Sequence, residues 1–206
     1  YELCAHAVER DGPREDLDLS AWTAAFNGAE KVQGDTLRRF RQAFGPSRFA
    51  PTALSPCYGL AEATLAVSIP SPAITPHVRK VLDGATDVAC GTPVDGAIVA
   101  IVKPESRREC ADGEVGEIWV RGPMVAAGYW EDAPRTAATF GATLADDGEG
   151  TPFLRTGDLG YLRQGHLCVV SRRDDLIVVR GVNHYPADIE HTVASVSPLL
   201  ATATMA

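Results

Sequence analysis

The first third of the chain alternates short apolar runs with amphipathic ones. Ala21-Trp-Thr-Ala-Ala-Phe26 is an apolar run ending in Asn27-Gly28, a pattern that predicts a buried strand feeding a turn. Over residues 36–44, Leu37, Phe40 and Phe44 fall on one helical face, with Thr36 placed to cap the helix. A buried strand followed by a helix is the unit of an α/β layer. Residues 71–95 are rich in Pro, Thr and Gly and predict a loop or linker. Beyond them the pattern turns to β. Residues 97–102 read as a strand, Asp112-Gly113 as a turn and residues 116–121 as its partner. Such a hairpin should pack one face and wet the other. Residues 136–140 carry no clear period, and residues 145–151 read as a polar loop. A second hairpin is predicted from Tyr161-Leu162 and residues 166–170 around Arg163-Gln-Gly165, then a strand at residues 176–179. From Pro186 to Val193 a helix opens with Pro in its first turn and acids nearby. The expected organisation is an α/β portion over residues 1–85, a β-rich subdomain over residues 86–171, and a hinge with the start of a further domain over residues 172–206.

Composition narrows the function classes. With 206 residues and 45% hydrophobic content the chain has enough apolar material for a packed core. Its net charge of -8 comes without a basic block or aromatic-basic interleaving, so no nucleic-acid partner is expected. No apolar run approaches the roughly 20 residues that span a bilayer, and no signal peptide is visible, so the expectation is a cytoplasmic protein. The five cysteines are scattered without a Cys-x-x-Cys pair and read as reduced and structural; the five histidines show no metal spacing. The chain opens on Tyr1 and closes on Met205-Ala206 without charge or cap, which suggests an excerpt of a longer protein.

The candidate chemistry begins at Phe153-Leu-Arg-Thr-Gly-Asp-Leu-Gly-Tyr161. Gly157 allows a tight turn before Asp158, whose carboxylate could accept hydrogen bonds from both hydroxyls of a ribose. Arg172 and Arg173 offer planar donors for phosphate or ribose oxygens. Taken alone, Thr-Gly-Asp equally suits an ordinary turn. Four further stretches join it. Phe26-Asn-Gly-Ala-Glu30 ends in a glycine that admits the flat edge of a purine, and Cys57-Tyr-Gly-Leu-Ala-Glu-Ala-Thr-Leu65 offers an aromatic face, a flexible Gly59 and a carboxylate. Gly113-Glu-Val-Gly-Glu-Ile-Trp-Val-Arg-Gly122 and Ala127-Gly-Tyr-Trp130 with Thr136-Ala-Ala-Thr-Phe140 complete the set.

This ordered set resembles the adenylate-forming superfamily of acyl-CoA synthetases, adenylation domains and luciferases, and within it the fatty acyl-AMP ligases. The likeness runs from Asp16 to about Val193. It implies an α/β and β-rich fold that is part of an adenylate-forming enzyme, the C-terminal part of a large domain and the start of a small one. It also implies roles for single residues. Gly28, Ala29 and Glu30 would line the adenine pocket, Tyr58 would stack on the ring beside Gly59, and Glu62 would hold Mg²⁺ near the phosphates. Asp158 would grip the ribose, Arg172 would reach ribose or phosphates, and Asp174 would be the hinge, although a solvated turn acid fits that position too. The implied reaction converts a fatty acid and ATP to an acyl adenylate, which passes to the phosphopantetheine thiol of an acyl carrier protein or to CoA, in a polyketide or lipopeptide assembly line.

Departures from the resemblance bear on activity. No Gly-rich, Ser/Thr-rich loop followed by Lys occurs, and the lysine that contacts the acyl carboxylate is absent; both are expected in the remainder of the parent chain, so residues 1–206 alone should not adenylate. Lys31 stands where Pro is common, Ser171 where Gly is usual, and Val182 where Arg is common. An acyl-CoA ligase, an amino-acid adenylation domain, or a non-catalytic nucleotide- or acyl-binding descendant are the alternatives.

Overall fold

A computed structural model describes residues 1–70, 78–80, 86–147, 150 and 152–196. Helices α1 (Glu2–Asp11) and α2 (Gly34–Phe44) pack together, and Leu37, Phe40 and Phe44 form the buried face of α2 as their spacing requires. Phe40 centres an aromatic cluster, its ring centroid 4.8 Å from Tyr1, 4.4 Å from Phe44 and 5.2 Å from Phe49. The helix starts earlier than expected: Gln33 holds the cap position, and Thr36 lies inside the first turn.

Strand β1 (Ala25–Asn27) pairs in parallel with β2 (Leu54–Pro56), with α2 as the crossover between them and a 3-10 turn (Pro51–Ala53) leading into β2. The apolar run at residues 21–26 is therefore not a buried strand. Only Ala25 is buried; Phe26 is exposed, and the Trp22 indole N–H donates to the Ala24 carbonyl at 2.8 Å, which turns the chain before the strand begins.

Strands β3 (Tyr58–Gly59), β4 (Ala66–Ile69) and, later, β7 (Thr92–Pro93) form a small antiparallel sheet, while β5 (Val78–Lys80) pairs with β6 (Thr86–Val88). The segment expected to be a loop or linker thus carries strands, and Val88 and Cys90 are core residues. The backbone explains it: Cys90 N–H donates to Leu167 O at 2.7 Å and Leu167 N–H to Gly91 O at 2.9 Å, stitching the segment to the main sheet. Residues 71–77 and 81–85 of that expectation lie outside the described residues, as do residues 148, 149 and 151 of the polar loop.

The main sheet is antiparallel and built from β8 (Ile98–Lys103), β9 (Arg108–Glu109), β10 (Gly116–Arg121), β11 (Leu154–Arg163) and β12 (His166–Arg172), in the order β12-β11-β10-β8-β9. As the central strand, β10 is covered on both faces. Ile118 and Val120 join the large core with Leu37, Phe44, Val67 and Leu167. On the opposite face Trp119 packs with Ala100, Val102 and Phe153, closed over by Ala142 and Leu144 beyond α3 (Ala133–Phe140). The expected wet face of this hairpin is buried instead, because residues 133–144 form a helix and loop that lie across it. Asp132 caps that helix, its side chain accepting from Arg135 N–H.

Past β12 the chain forms an exposed hairpin, β13 (Ile177–Val179) and β14 (Val182–His184), then helix α4 (Pro186–Val196). No helix among the described residues is long and apolar enough to cross a membrane.

Candidate functional site

Asp158 lies within β11, not in the tight turn expected of it. Gly157 has φ +74°, a left-handed conformation that side chains disfavour, and it kinks the strand without ending it. Across the kink Asp158 stays in register with Arg172 of β12, and Arg173 N–H donates to Gly157 O at 2.7 Å. The Thr156 hydroxyl donates to Ile118 O at 2.8 Å and accepts from Asp158 N–H at 3.0 Å. Backbone and side chain together therefore fix where the carboxylate points.

Its oxygens face two partners. The Tyr58 hydroxyl donates to Asp158 Oδ2 at 2.6 Å, and Arg172 Nε stands 3.9 Å from Oδ1. Asp158 is 15% exposed, and burial raises its carboxyl above the ordinary carboxylate value; Tyr58 and Arg172 pull it back, while the charges of Glu62 and Glu117 push it up. Tyr58, 8% exposed, has its phenol pushed up by burial, then by the adjacent Asp158 charge and hydrogen bond. The phenol therefore keeps its proton and donates it to the carboxylate.

Tyr58 is set in place by its neighbours on both sides. Cys57 N–H donates to Asn27 O at 2.8 Å, docking the end of β1 and the Gly28-Ala29-Glu30 loop beside β3. A Cβ on Gly28 would sit 2.8 Å from the Cys57 carbonyl oxygen, and Ala29 itself takes φ +72°. These three loop residues meet the cluster through Cys57. Gly59 serves close approach rather than the expected flexibility: a Cβ there would fall 1.6 Å from Leu65 O.

Glu62 occupies a 3-10 turn (Ala61–Ala63), and its Oε1 accepts from the Tyr129 hydroxyl at 2.8 Å. Tyr129 is itself clamped. Its N–H donates to Thr136 Oγ1 at 2.9 Å, the Arg135 guanidinium lies 4.1 Å from its ring centre, and Phe140 meets it edge-on at 5.3 Å. Gly128, at φ +146°, leaves room for Thr136, whose methyl would lie 2.3 Å from an added Cβ. The Ala127-Gly-Tyr-Trp130 and Thr136-Ala-Ala-Thr-Phe140 stretches thus act together to hold a phenol on Glu62, a role that their sequence did not reveal.

Glu117 is the other residue the sequence reading left without a role. It is 1% exposed on β10, bonded by Arg155 Nη2 at 2.8 Å and Nε at 3.2 Å, and faced by Arg173 Nη1 at 3.6 Å. An acid immediately before the apolar run Ile118-Trp-Val120, on a strand whose Trp119 pairs with Arg155 of β11, was the available signal. Arg173 also reaches the exposed Asp174, Nε to Oδ1 at 3.5 Å, so the proposed hinge adjoins this buried pair. The structure therefore brings Tyr58, Asp158 and Arg172 into one cluster, with the Glu62 charge acting on it, and leaves Asp174 outside on the tail side of Arg173.

Comparison with known proteins bears on what this cluster holds. The family model for "AMP-binding enzyme" matches residues 2–130. The medium-chain-fatty-acid–[acyl-carrier-protein] ligase JamA of Moorena producens is 43% identical across 97% of this chain and 37% of its own length. The long-chain-fatty-acid–AMP ligase FadD26 of Mycobacterium marinum is 39% identical across 88% of this chain and 34% of its own. Among solved structures, the fatty acyl-adenylate ligase from L. pneumophila in complex with acyl adenylate and pyrophosphate superposes with a TM-score of 0.77 at 38% identity, over 97% of this chain and 37% of that one. The chain spans about a third of the length of the curated relatives it matches.

Proposed function

The chain belongs to the AMP-binding enzyme family and takes the fold of part of an adenylate-forming enzyme, and from that premise we propose that its parent activates a fatty acid as an acyl adenylate. A carboxylate oxygen of the fatty acid attacks the α-phosphorus of ATP, and pyrophosphate leaves with the electron pair of the broken P–O bond. A thiol then attacks the acyl carbon, the thioester forms and AMP departs. Positioning and charge neutralisation supply most of the acceleration in such transfers.

The Asp158 cluster carries the reading. A carboxylate fixed by backbone bonds, partly buried and flanked by Arg172, is suited to accept both ribose hydroxyls while the guanidinium reaches a sugar or phosphate oxygen. Gly28, Ala29 and Glu30 would border the adenine. With so little of Tyr58 exposed, its larger contribution in this chain would be to orient Asp158, and stacking of its ring on adenine would supply at most part of the about 1–3 kcal/mol that such contacts carry. Gly59 keeps β3 and β4 close enough to form that wall. Glu62 fits Mg²⁺, a hard cation that takes one or two protein carboxylates and completes its shell with water and phosphate; the ion would neutralise phosphate charge. Asp174 would be the hinge, dividing residues 1–85 and 86–171 from the tail at 172–206. Activity in the cytoplasm, with the acyl group passing to a carrier-protein phosphopantetheine, follows the same reading, supported by the carrier-protein ligase among the relatives.

Calorimetry of AMP binding to the intact protein tests this, beside Asp158→Asn. Losing a hydrogen bond to a charged group costs about 1.5–3 kcal/mol, so affinity should fall by about tenfold to a hundredfold. Equal AMP affinity in both proteins would refute the assignment. Radiolabelled fatty acid with ATP should then give acyl adenylate, with label moving to carrier protein; label appearing only on CoA would make the parent an acyl-CoA ligase.

A further inference from the structure

The residue after the Gly28-Ala29-Glu30 loop is tied to the far end of the chain. Lys31 is 11% exposed, its Nζ donates to Asp188 Oδ1 at 2.8 Å, and it stands 6.0 Å from the Tyr185 ring centre. An ammonium this buried is stable only when paired, so the ion pair and the burial demand one another. Asp188 belongs to the first turn of α4, where negative charge is favoured by the helix dipole, and its N–H donates to Tyr185 O at 3.0 Å. Tyr185 in turn packs against the cluster of Tyr161, Cys168 and Val170 on the main sheet. The β13–β14 hairpin just before it exposes all its residues. Docking of α4 on the body thus passes through Tyr185 and the Lys31–Asp188 pair.

We propose that Lys31 is a positioning residue that pins α4 to the adenine-side loop, so that a nucleotide lying on that loop and the orientation of the tail are coupled. The coupling rests on the reading of Gly28, Ala29 and Glu30 as the adenine border; the pin itself does not. The reason is mechanical. The loop residues and Lys31 are contiguous in the chain, so a ligand that orders residues 28–30 orders the backbone from which the ammonium is projected. Conversely, release of Asp188 frees an ammonium that has to regain solvent, which shifts the loop.

Hydrogen exchange on the intact protein, with and without saturating AMP, tests both parts. In the unmodified protein the amides of residues 188–196 should be protected and AMP should slow them further. Lys31→Met should speed their exchange about tenfold, the order expected for loss of a charge-assisted bond, and abolish the AMP effect. Lys31→Arg should restore most of both, and Asp188→Asn should match Lys31→Met without adding to it in the double variant. Unchanged exchange in Lys31→Met would overturn the pin. AMP that binds without slowing residues 188–196 in the unmodified protein would overturn the coupling; AMP that does not bind at all would remove the functional reading and the coupling with it, leaving the pin to be decided by AMP-free exchange.

Discussion

Tyr58→Phe isolates the hydroxyl that aims Asp158, because it removes one oxygen and keeps the ring in the core. The bond lost is 2.6 Å long and joins a phenol to a carboxylate, both mostly buried. Hydrogen bonds to charged groups are worth about 1.5–3 kcal/mol. Arg172 stands 3.9 Å from the other oxygen and its side chain is 60% exposed, so it offers only partial replacement. A loss of about 2 kcal/mol at neutral pH is therefore expected. The pH dependence has a definite sign. Asp158 binds its proton more tightly folded than unfolded, so from its ordinary value of 3.8 upward the folded state holds more protons and stability falls as pH rises, until the raised folded value is passed. Tyr58 pulls that folded value down. Without its hydroxyl the folded value rises further, the window widens at its upper end, and the deficit of Tyr58→Phe grows as pH climbs out of the acid range. Well below 3.8 the carboxyl is protonated in both states, and only a neutral hydrogen bond, about 1 kcal/mol, separates the proteins. Urea unfolding of the intact protein, followed by tryptophan fluorescence from pH 4 to 8, measures this, with about-2-kcal/mol effects well resolved. A deficit that is flat across the range, or that shrinks as pH rises, would refute the view that the hydroxyl serves the ionised carboxylate.

Two further outcomes follow from the Arg155–Glu117 and Tyr129–Glu62 pairs. Arg155→Met should destabilise the protein by about 3 kcal/mol in denaturant unfolding, the lower end for a broken buried pair, because Arg173 at 3.6 Å still faces Glu117; the companion Glu117→Gln should be milder, since no charge is then stranded. Tyr129→Phe should leave the fold intact and cost no more than about 1.5 kcal/mol of stability, yet raise the Mg²⁺ concentration needed for half-maximal acyl-adenylate formation, because Glu62 loses the phenol that fixes its rotamer.

Local patterns were legible in the sequence. The spacing of Leu37, Phe40 and Phe44 gave their helix, and the apolar run at residues 97–102 with the alternation at 116–121 gave two paired strands, because these signals depend on neighbours within a few residues. The burial of both β10 faces was not, since what covers Trp119 comes from residues 133–144 and Phe153, beyond the hairpin itself, and nothing within the two strands encodes that contact. The strands within residues 71–95 were hidden by Pro and Gly, whose breaker tendency yields when Cys90 and Gly91 bond to Leu167. The site was legible as a set of motifs but not as contacts. Tyr58 and Asp158 are 100 positions apart and Glu62 and Tyr129 are 67 apart; nothing in either local segment encodes which partner the fold will bring. Tyr129 in particular sat in a recognisable motif, yet its partner could be known only once the turn at Glu62 was placed beside it.

The kink at Gly157 has a consequence for how the tail can move. Asp158 and Arg172 form the last side-by-side rung of the β11–β12 ladder, and Arg173 N–H closes it on Gly157 O before the chain leaves the sheet. A pull on the tail reaches that end of the hairpin first, so the hydrogen bonds there would open while the rungs from Leu162 to His166 stay shut. The Asp158 carboxylate is then the first to feel tension from the tail, and a nucleotide held there, as proposed above, would stiffen the very rung at which peeling would begin.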